Sequence, residues 1–507
     1  MKTVIAVACV LLSGTLAQAQ TPSVSAAACE RLAASLALPN STVTSAEAVA
    51  AGAFTPPAGG ANAERAAAGL PAFCRVALTI TPSSDSDIRS EVWLPLSGWN
   101  GKYLQVGNGG WGGSIQYAAL ADSLGRGYAA ASTDTGHSGP SASFAVGHPQ
   151  KLIDFGYRSV HETAVQGKAT VAALYGSAPR FSYFNGCSGG GRQSFMEAQR
   201  FPGDFDGIIA GAPGFNRTDG AFQSLGAMQA THRDPASFIP ASKYPMLHQA
   251  ALNACDAGDG LKDGLITDPR QCEFDPGVVA CTGADGPSCL TSAQVVAAKA
   301  IYAPVHDPKT GALVFAGLEP GSEMHWAGIS GERPHQMYND LARFILFDDP
   351  DWDFRTLDIG DLEHARRVDN GILAATSTDL TPFVDRGGKL LMYHGWEDQN
   401  ISPSMTVDYY TDVQETMGED AVADAVRLFM VPGMGHCRGG DGPDSFDMVA
   451  ALEQWREHDN APAQILATKV TDGRVARTRP LCPYPQVAKY KGTGSIDEAE
   501  NFACTAP

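Results

Sequence analysis

Residues 181–195 read FSYFNGCSGGGRQSF: an apolar run, a Gly-x-Ser-x-Gly turn centred on Ser188, then helix-compatible residues. A tight turn between strand and helix lifts a serine oxygen above the end of the strand, where it can act as a nucleophile. A second apolar run, VRLFMVPGMGHC at 426–437, ends in a loop that carries His436. Each of these residues has a cysteine as its neighbour, Cys187 before the serine and Cys437 after the histidine. A bond between the two cysteines would join the nucleophile's turn to the loop of its base. Closing so long a loop stabilises a fold by roughly 5 kcal/mol on the chain-entropy account.

Outward from this turn the chain alternates strand-like and helix-like stretches. VALTI (76–80), SEVWLPL (90–96), KYLQVGNGG (102–110) and GYAAASTDTG (127–136) read as strands, followed by a helix pattern over 158–176. The serine's strand and helix come next, then GIIAGAP (207–213) as a further strand. The rhythm stops after Pro213 and resumes with KLLMYHG (389–395), a helix pattern over 404–418, the strand before His436 and a helix over 445–458. Such alternation implies a mostly parallel sheet covered by helices on both faces. With the serine turn it predicts an α/β-hydrolase fold with a large inserted lid domain between the sixth and seventh core strands. At 507 residues the chain exceeds one ordinary core. The expected division is a first core part at 20–214 with an Ala-rich N-terminal arm to about residue 75, a lid at 215–374, and a second core part at 375–507.

Residues 1–19 combine Lys2, an apolar stretch and a small-residue ending at Ala19. This is the pattern of a secretory signal peptide, its apolar run too short for a membrane span. The expected location is secreted or periplasmic. Eleven cysteines are present, and Cys9 falls in the signal. The even remainder in an exported chain reads as disulfides. Cys281 with Cys289 and Cys482 with Cys504 are plausible close pairs, and the full connectivity stays open at this point. A net charge of −19 argues against nucleic acid or an anionic membrane surface as partner.

Ester hydrolysis needs a nucleophile, a base in contact with it and an acid that orients the base. In α/β-hydrolases these follow the chain order Ser, Asp or Glu, His. Ser188 takes the first place, Asp398 in HGWEDQN the second and His436 the third. Glu397 competes locally with Asp398, with a solvated loop charge as its alternative role. His137 and His394 lie near strand ends, but neither follows the acid, and His394 is assigned to the pocket wall or a packed, hydrogen-bonded position. The negative oxygen of the tetrahedral intermediate requires fixed N–H donors. Gly189 follows the nucleophile, and Gly110 in GNGGWGG (107–113) is the second candidate donor. Asp256, Asp259 and Asp263 crowd the stretch CDAGDGLKDGLITDPRQC (255–272). Carboxylates so gathered repel unless a hard cation lies among them, and calcium accepts such oxygens flexibly.

NGCSGGGRQ, CDAGDGLKDGLI, YHGWEDQNISP and PGMGHCRGGDGP together resemble the tannase and feruloyl esterase family over nearly the whole mature chain. The resemblance implies a triad of Ser188, Asp398 and His436, with Cys187 bonded to Cys437. It implies the further pairs Cys29–Cys74, Cys255–Cys272, Cys281–Cys289 and Cys482–Cys504. It also implies a structural Ca2+ held by Asp256, Asp259 and Asp263 with the carbonyls of Leu261 and Leu265. The insertion would cover the acyl pocket, with Trp326 and the stretch 337–354 as candidate wall residues and Arg343 as a candidate carboxylate binder. The expected activity is a serine carboxylic ester hydrolase that cleaves small-molecule esters of aromatic acids through an acyl-enzyme. Ferulate, gallate and a terephthalate monoester are alternative acids. An acyltransferase could share the triad, and a reading of another class is a non-catalytic calcium-dependent binding protein on a hydrolase scaffold. The oligomeric state is left open.

Overall fold

The computed structural model describes residues 23–507, so the stretch 1–19, read above as a signal peptide, lies outside the described residues. Nine strands form one sheet: β1 (Ser41–Val49), β2 (Phe73–Ile80), β3 (Ile88–Pro95), β4 (Lys102–Val106), β5 (Ala129–Thr133), β6 (Phe181–Cys187), β7 (Gly207–Gly211), β8 (Lys389–Gly395) and β9 (Val426–Val431). Their spatial order is β1-β2-β3-β5-β4-β6-β7-β8-β9. The pairs β1–β2, β2–β3 and β3–β5 are antiparallel. From β5 onward every pair is parallel.

Alternation along the central strands explains why the sheet is covered on both sides. In β8, Leu390 and Met392 enter one apolar cluster while Leu391 enters another. Leu428 and Phe429 divide between the same two clusters in β9, as do Ile208 and Ile209 in β7. Successive side chains of a strand point to opposite faces, so continuous apolar runs require two cores. Helices Ser159–Tyr175, Gly189–Arg200 and Pro403–Met417 contribute Val160, Phe195 and Val407 to one cluster, and helix Met448–His458 contributes Leu452 and Trp455 to the other. Parallel pairing brings the C-terminal ends of β4, β6, β8 and β9 to a single edge. The register sets Val106 beside Asn185 and Gly395 beside Val431.

The N-terminal stretch is more than an arm. Residues 41–49 pair with β2 along its length, and Cys29 is bonded to Cys74. The segment 215–374 therefore falls between the seventh and eighth strands of the observed sheet, one later than expected. The expected count omitted β1, whose small, half-exposed residues take their register from β2. That segment is largely helical and carries a cluster of its own around Tyr244, Leu247, Ile301 and Trp326. Among the described residues five disulfides are present, Cys29–Cys74, Cys187–Cys437, Cys255–Cys272, Cys281–Cys289 and Cys482–Cys504. No helix among the described residues is long and apolar enough to cross a membrane.

Candidate active site

β6 ends at Cys187, and the helix Gly189–Arg200 begins one residue after Ser188. Ser188 itself adopts φ +64°, a conformation that costs a non-glycine residue energy and turns the chain sharply. The glycines beside it are demanded by contact. A β-carbon on Gly186 would meet the Gly190 carbonyl oxygen at 2.4 Å, and one on Gly191 would meet the Gly211 oxygen at 2.3 Å. Strand, turn and helix thus pack too closely for any side chain, which fixes the direction of the serine.

Three distant segments converge there. His436 Nε2 lies 2.8 Å from Ser188 Oγ, and His436 Nδ1 lies 2.7 Å from Asp398 Oδ2. The Cys187–Cys437 bond, with Cα atoms 6.1 Å apart, crosslinks the two loops beside this contact. Asp398 is fully buried and accepts from four donors. Asn400 N–H (2.7 Å) and Ile401 N–H (3.1 Å) reach Oδ1, while His436 and His394 Nε2 (3.0 Å) share Oδ2. Burial opposes the Asp398 charge, yet the two imidazoles hold its carboxyl well below the usual range. The same ion pair works the other way on His436: burial lowers its basicity, and Asp398 raises it above the ordinary imidazole value.

Gly189, the first residue of its helix, has an N–H with no intrahelical partner. A β-carbon on it would lie 3.3 Å from Gly110 N, so the two candidate donors are neighbours. Gly110 N–H donates to no acceptor among the described residues. Two cavities meet at Ser188. A wide cleft of about 600 Å³ is lined by His436, Gly110, His335 and Arg438. A narrow pocket that also reaches Ser188 is walled by Phe215, Phe315, Met337, Tyr338, Ile401 and Arg217, sharing Met337 and Ile401 with the cleft. Its free room is about 10 Å³, enough for about one water, so a larger group could enter only if the walls moved.

Several expected site residues lie elsewhere. Trp326 is 0 % exposed, donates to Ser322 Oγ and packs in the insertion's own core, away from both cavities. Its size and apolar neighbours suit a core as well as a pocket, and the surrounding helices decided between them. His394 lines neither of these two cavities. It lies behind Asp398, its Nδ1 2.7 Å from Thr406 Oγ1, which makes it a packed partner of the acid. Glu397 is buried rather than solvated, facing the Asp441 N–H. Arg343 donates to the Pro350 carbonyl and lies over Phe344, outside both cavities. His137 stacks on Phe144. Sequence reasoning missed Arg217, because an arginine opening a helix carries no local mark of a pocket residue.

In the acidic loop, Asp256 accepts from Asp263 N–H (3.1 Å) and Gly264 N–H (3.0 Å), and Asp259 from Leu261 N–H (2.9 Å) and Thr267 Oγ1 (2.6 Å). Asp263 pairs with Arg479 at 2.6 Å. Leu265 is buried beside them. These carboxylates are engaged by their own turns rather than drawn to one point. Among the described residues, the acid, His or Cys side chains within one ion's reach are Cys281, Asp285 and Cys289, two of which are bonded to each other. The oxygen donors of the acidic loop suit a hard cation, and three carboxylates against one guanidinium leave it negative.

The insertion meets the His436 loop through His248, whose Nδ1 lies 3.0 Å from Glu323 Oε2 and Nε2 2.9 Å from Asp441 Oδ2. Burial works against its charge, but the carboxylates push the imidazole from 6.5 up to about 10. Burial pushes the adjacent Glu397 carboxyl from 4.5 up to about 8. Both folded values are raised, so each contribution is complete below the group's ordinary value and is lost as pH rises through the folded one. Stability is expected to fall between pH 6.5 and about 10. Melting temperatures across that window check this. His248→Gln should flatten the profile, and parallel profiles for the two proteins would refute it.

Comparison with known proteins places this geometry in a lineage. Residues 74–505 match the family described as tannase and feruloyl esterase. An uncharacterized esterase of Xanthomonas campestris pv. campestris is 41% identical over 536 residues, covering 96% of this chain and 92% of the other. The mono(2-hydroxyethyl) terephthalate hydrolase of Piscinibacter sakaiensis is 36% identical over 533 residues, covering 88% and 87%. The crystal structure of feruloyl esterase B from Aspergillus oryzae superposes with a TM-score of 0.88 at 31% identity, covering 95% of this chain and 100% of that one. A match over so much of the chain, with an α/β-hydrolase architecture throughout, means that it belongs to the tannase and feruloyl esterase family.

Proposed function

We propose that this protein is a secreted serine esterase that hydrolyses esters of aromatic acids through an acyl-enzyme. The observation that carries this reading is the continuous chain of contacts from Ser188 Oγ through His436 to Asp398. Ser188 Oγ attacks the ester carbonyl carbon as its proton passes to His436 Nε2. The carbonyl oxygen becomes an oxyanion and receives N–H bonds from Gly189 and Gly110. Collapse breaks the bond to the alcohol, which leaves with the proton from Nε2. A water molecule then gives a proton to the same nitrogen, attacks the acyl carbon and releases the acid, restoring Ser188.

The leaving oxygen must lie within reach of Nε2, so the alcohol belongs in the wide cleft that His436 lines. The acyl group is assigned to the narrow pocket, among Phe215, Phe315 and Tyr338, whose ring-bearing walls suit an aromatic group once they move to admit it. The segment 215–374 supplies Phe315, Met337 and Tyr338 and so acts as a lid over this pocket. A fluorophosphonate should label Ser188 with the mass of one adduct, and absence of label would favour a non-catalytic binding protein. Methyl ferulate, methyl gallate and a terephthalate monoester, offered separately, should yield free acid from at least one. Dominant transfer to an added alcohol would mark an acyltransferase instead.

The acidic loop is proposed to hold a structural Ca2+ through Asp256, Asp259 and Asp263 with the carbonyls of Leu261 and Leu265. Its excess negative charge and hard oxygen donors support this. Chelation should lower the melting temperature while the protein that remains folded keeps its turnover; an unchanged melting temperature would refute it.

A further inference from the structure

Arg217 opens the helix Arg217–His232, is 4 % exposed and lines the narrow pocket beside Ser188. Its guanidinium lies over Trp111 at 4.5 Å and Phe155 at 5.3 Å. Nη2 donates to the Gly110 carbonyl at 2.8 Å. Nη1 is buried and has no acceptor among the described residues. A second buried guanidinium, Arg192, has its N–H groups on the carbonyls of Gly156 and Phe155. Asp369 is the carboxylate whose charge acts on both. Its own oxygens already accept from Thr218 Oγ1 (2.8 Å) and Leu373 N–H (2.6 Å). Two buried guanidiniums against one carboxylate leave an excess positive charge beside the pocket, with one N–H unmet. Burial lowers the Arg217 guanidinium to about 10, so it stays charged at neutral pH. Native interiors rarely leave such a donor without an acceptor.

We propose that Arg217 Nη1 binds an oxygen carried on the aromatic ring of the acyl group, away from the ester, so that the pocket selects acids with a ring hydroxyl, phenolate or carboxylate over unsubstituted ones. This rests on the acyl-enzyme reading above. The apolar walls Phe215, Phe315 and Ile401 carry no polar group that tells one ring from another, so one charged donor among them would distinguish rings by substituent. A site built to pair with a substrate's polar group rejects the analogue that lacks it far more strongly than an apolar wall can.

The test is a ratio. kcat/KM is measured for methyl 4-hydroxycinnamate against methyl cinnamate, and for monomethyl terephthalate against methyl benzoate, in the wild type, Arg217→Met and Arg217→Lys. The wild type should favour the oxygenated member of at least one pair by about 10-fold or more. The pair that responds separates a neutral from an anionic acceptor. Arg217→Met should bring the ratio close to one, and Arg217→Lys should restore part of it. Loss of the Gly110 contact slows all four esters alike and cancels in the ratio. A wild type without preference, or a ratio unchanged within about twofold in Arg217→Met, overturns the role of Arg217 and leaves the esterase reading standing. Failure of the wild type to hydrolyse any of the four counts against that reading itself. Should the arginine variants not fold, binding of 4-hydroxycinnamate and cinnamate to Ser188→Ala decides: a tenfold difference in Kd supports the proposal, and equal affinities overturn it.

Discussion

Ser188→Ala should lower kcat on an aromatic ester by about 10⁶ while leaving the fold intact. The substitution removes one oxygen and nothing that holds the turn. The close contacts of Gly186 and Gly191 with neighbouring backbone persist, as does the Cys187–Cys437 crosslink. Alanine tolerates the positive φ at this position about as poorly as serine does, so stability should hardly change. Without Oγ no acyl-enzyme forms, and what remains is the attack of water aided by the Gly189 and Gly110 donors. That residue of catalysis is still about 10³ to 10⁴ above the reaction in water. Turnover and melting temperature measured on one preparation decide it. Hydrolysis retained above about one part in a hundred would remove Ser188 from its assigned role.

Asp398→Asn is the second large effect, a fall of about 10⁴ in kcat. Asp398 Oδ2 accepts from two imidazoles at once, and Oδ1 accepts from two backbone N–H groups. An amide of the same shape must present an NH₂ group to one of these pairs of donors. If the NH₂ faces the imidazoles, His436 is driven to the tautomer that carries its proton on Nε2, where it cannot take one from Ser188. If it faces Asn400 and Ile401, two buried backbone donors lose their acceptor. The pH profile adds an independent readout. Asp398 raises the basicity of His436, so the wild type should lose kcat/KM on acidification at a pH above the ordinary imidazole value. In Asp398→Asn the residual activity should lose its acid limb at lower pH, because burial then lowers the basicity of His436 unopposed. An acid limb that stays in place would show that this carboxylate does not govern the base.

Much of this site's geometry is legible in the sequence, because its residues lie in short, recognisable stretches. Gly186 and Gly191 frame a turn with no room for a side chain at either position, and the strand on one side and helix on the other are local patterns. The order Ser188, Asp398, His436 follows from the order of parallel strands, and the two flanking cysteines mark the loops that meet. Less legible were residues whose role depends on what faces them. β1 lies at the sheet edge with small residues, and its pairing comes from β2 rather than from its own weak pattern. Trp326 reads equally well as pocket wall or core until helices 244–255 and 292–302 are packed around it.

The α/β-hydrolase architecture and the serine, aspartate and histidine that meet in the site could be read from local sequence, since periodicity, turn residues and chain order are local properties. The insertion, by contrast, was placed one strand too early because β1 carries no such signal. Only tertiary contacts set His394 behind Asp398, bury Glu397 beside Asp441, and leave one N–H of the Arg217 guanidinium unmet beside the narrow pocket at Ser188. Burial and hydrogen-bond partnership arise between segments far apart in the chain, and no local pattern records them.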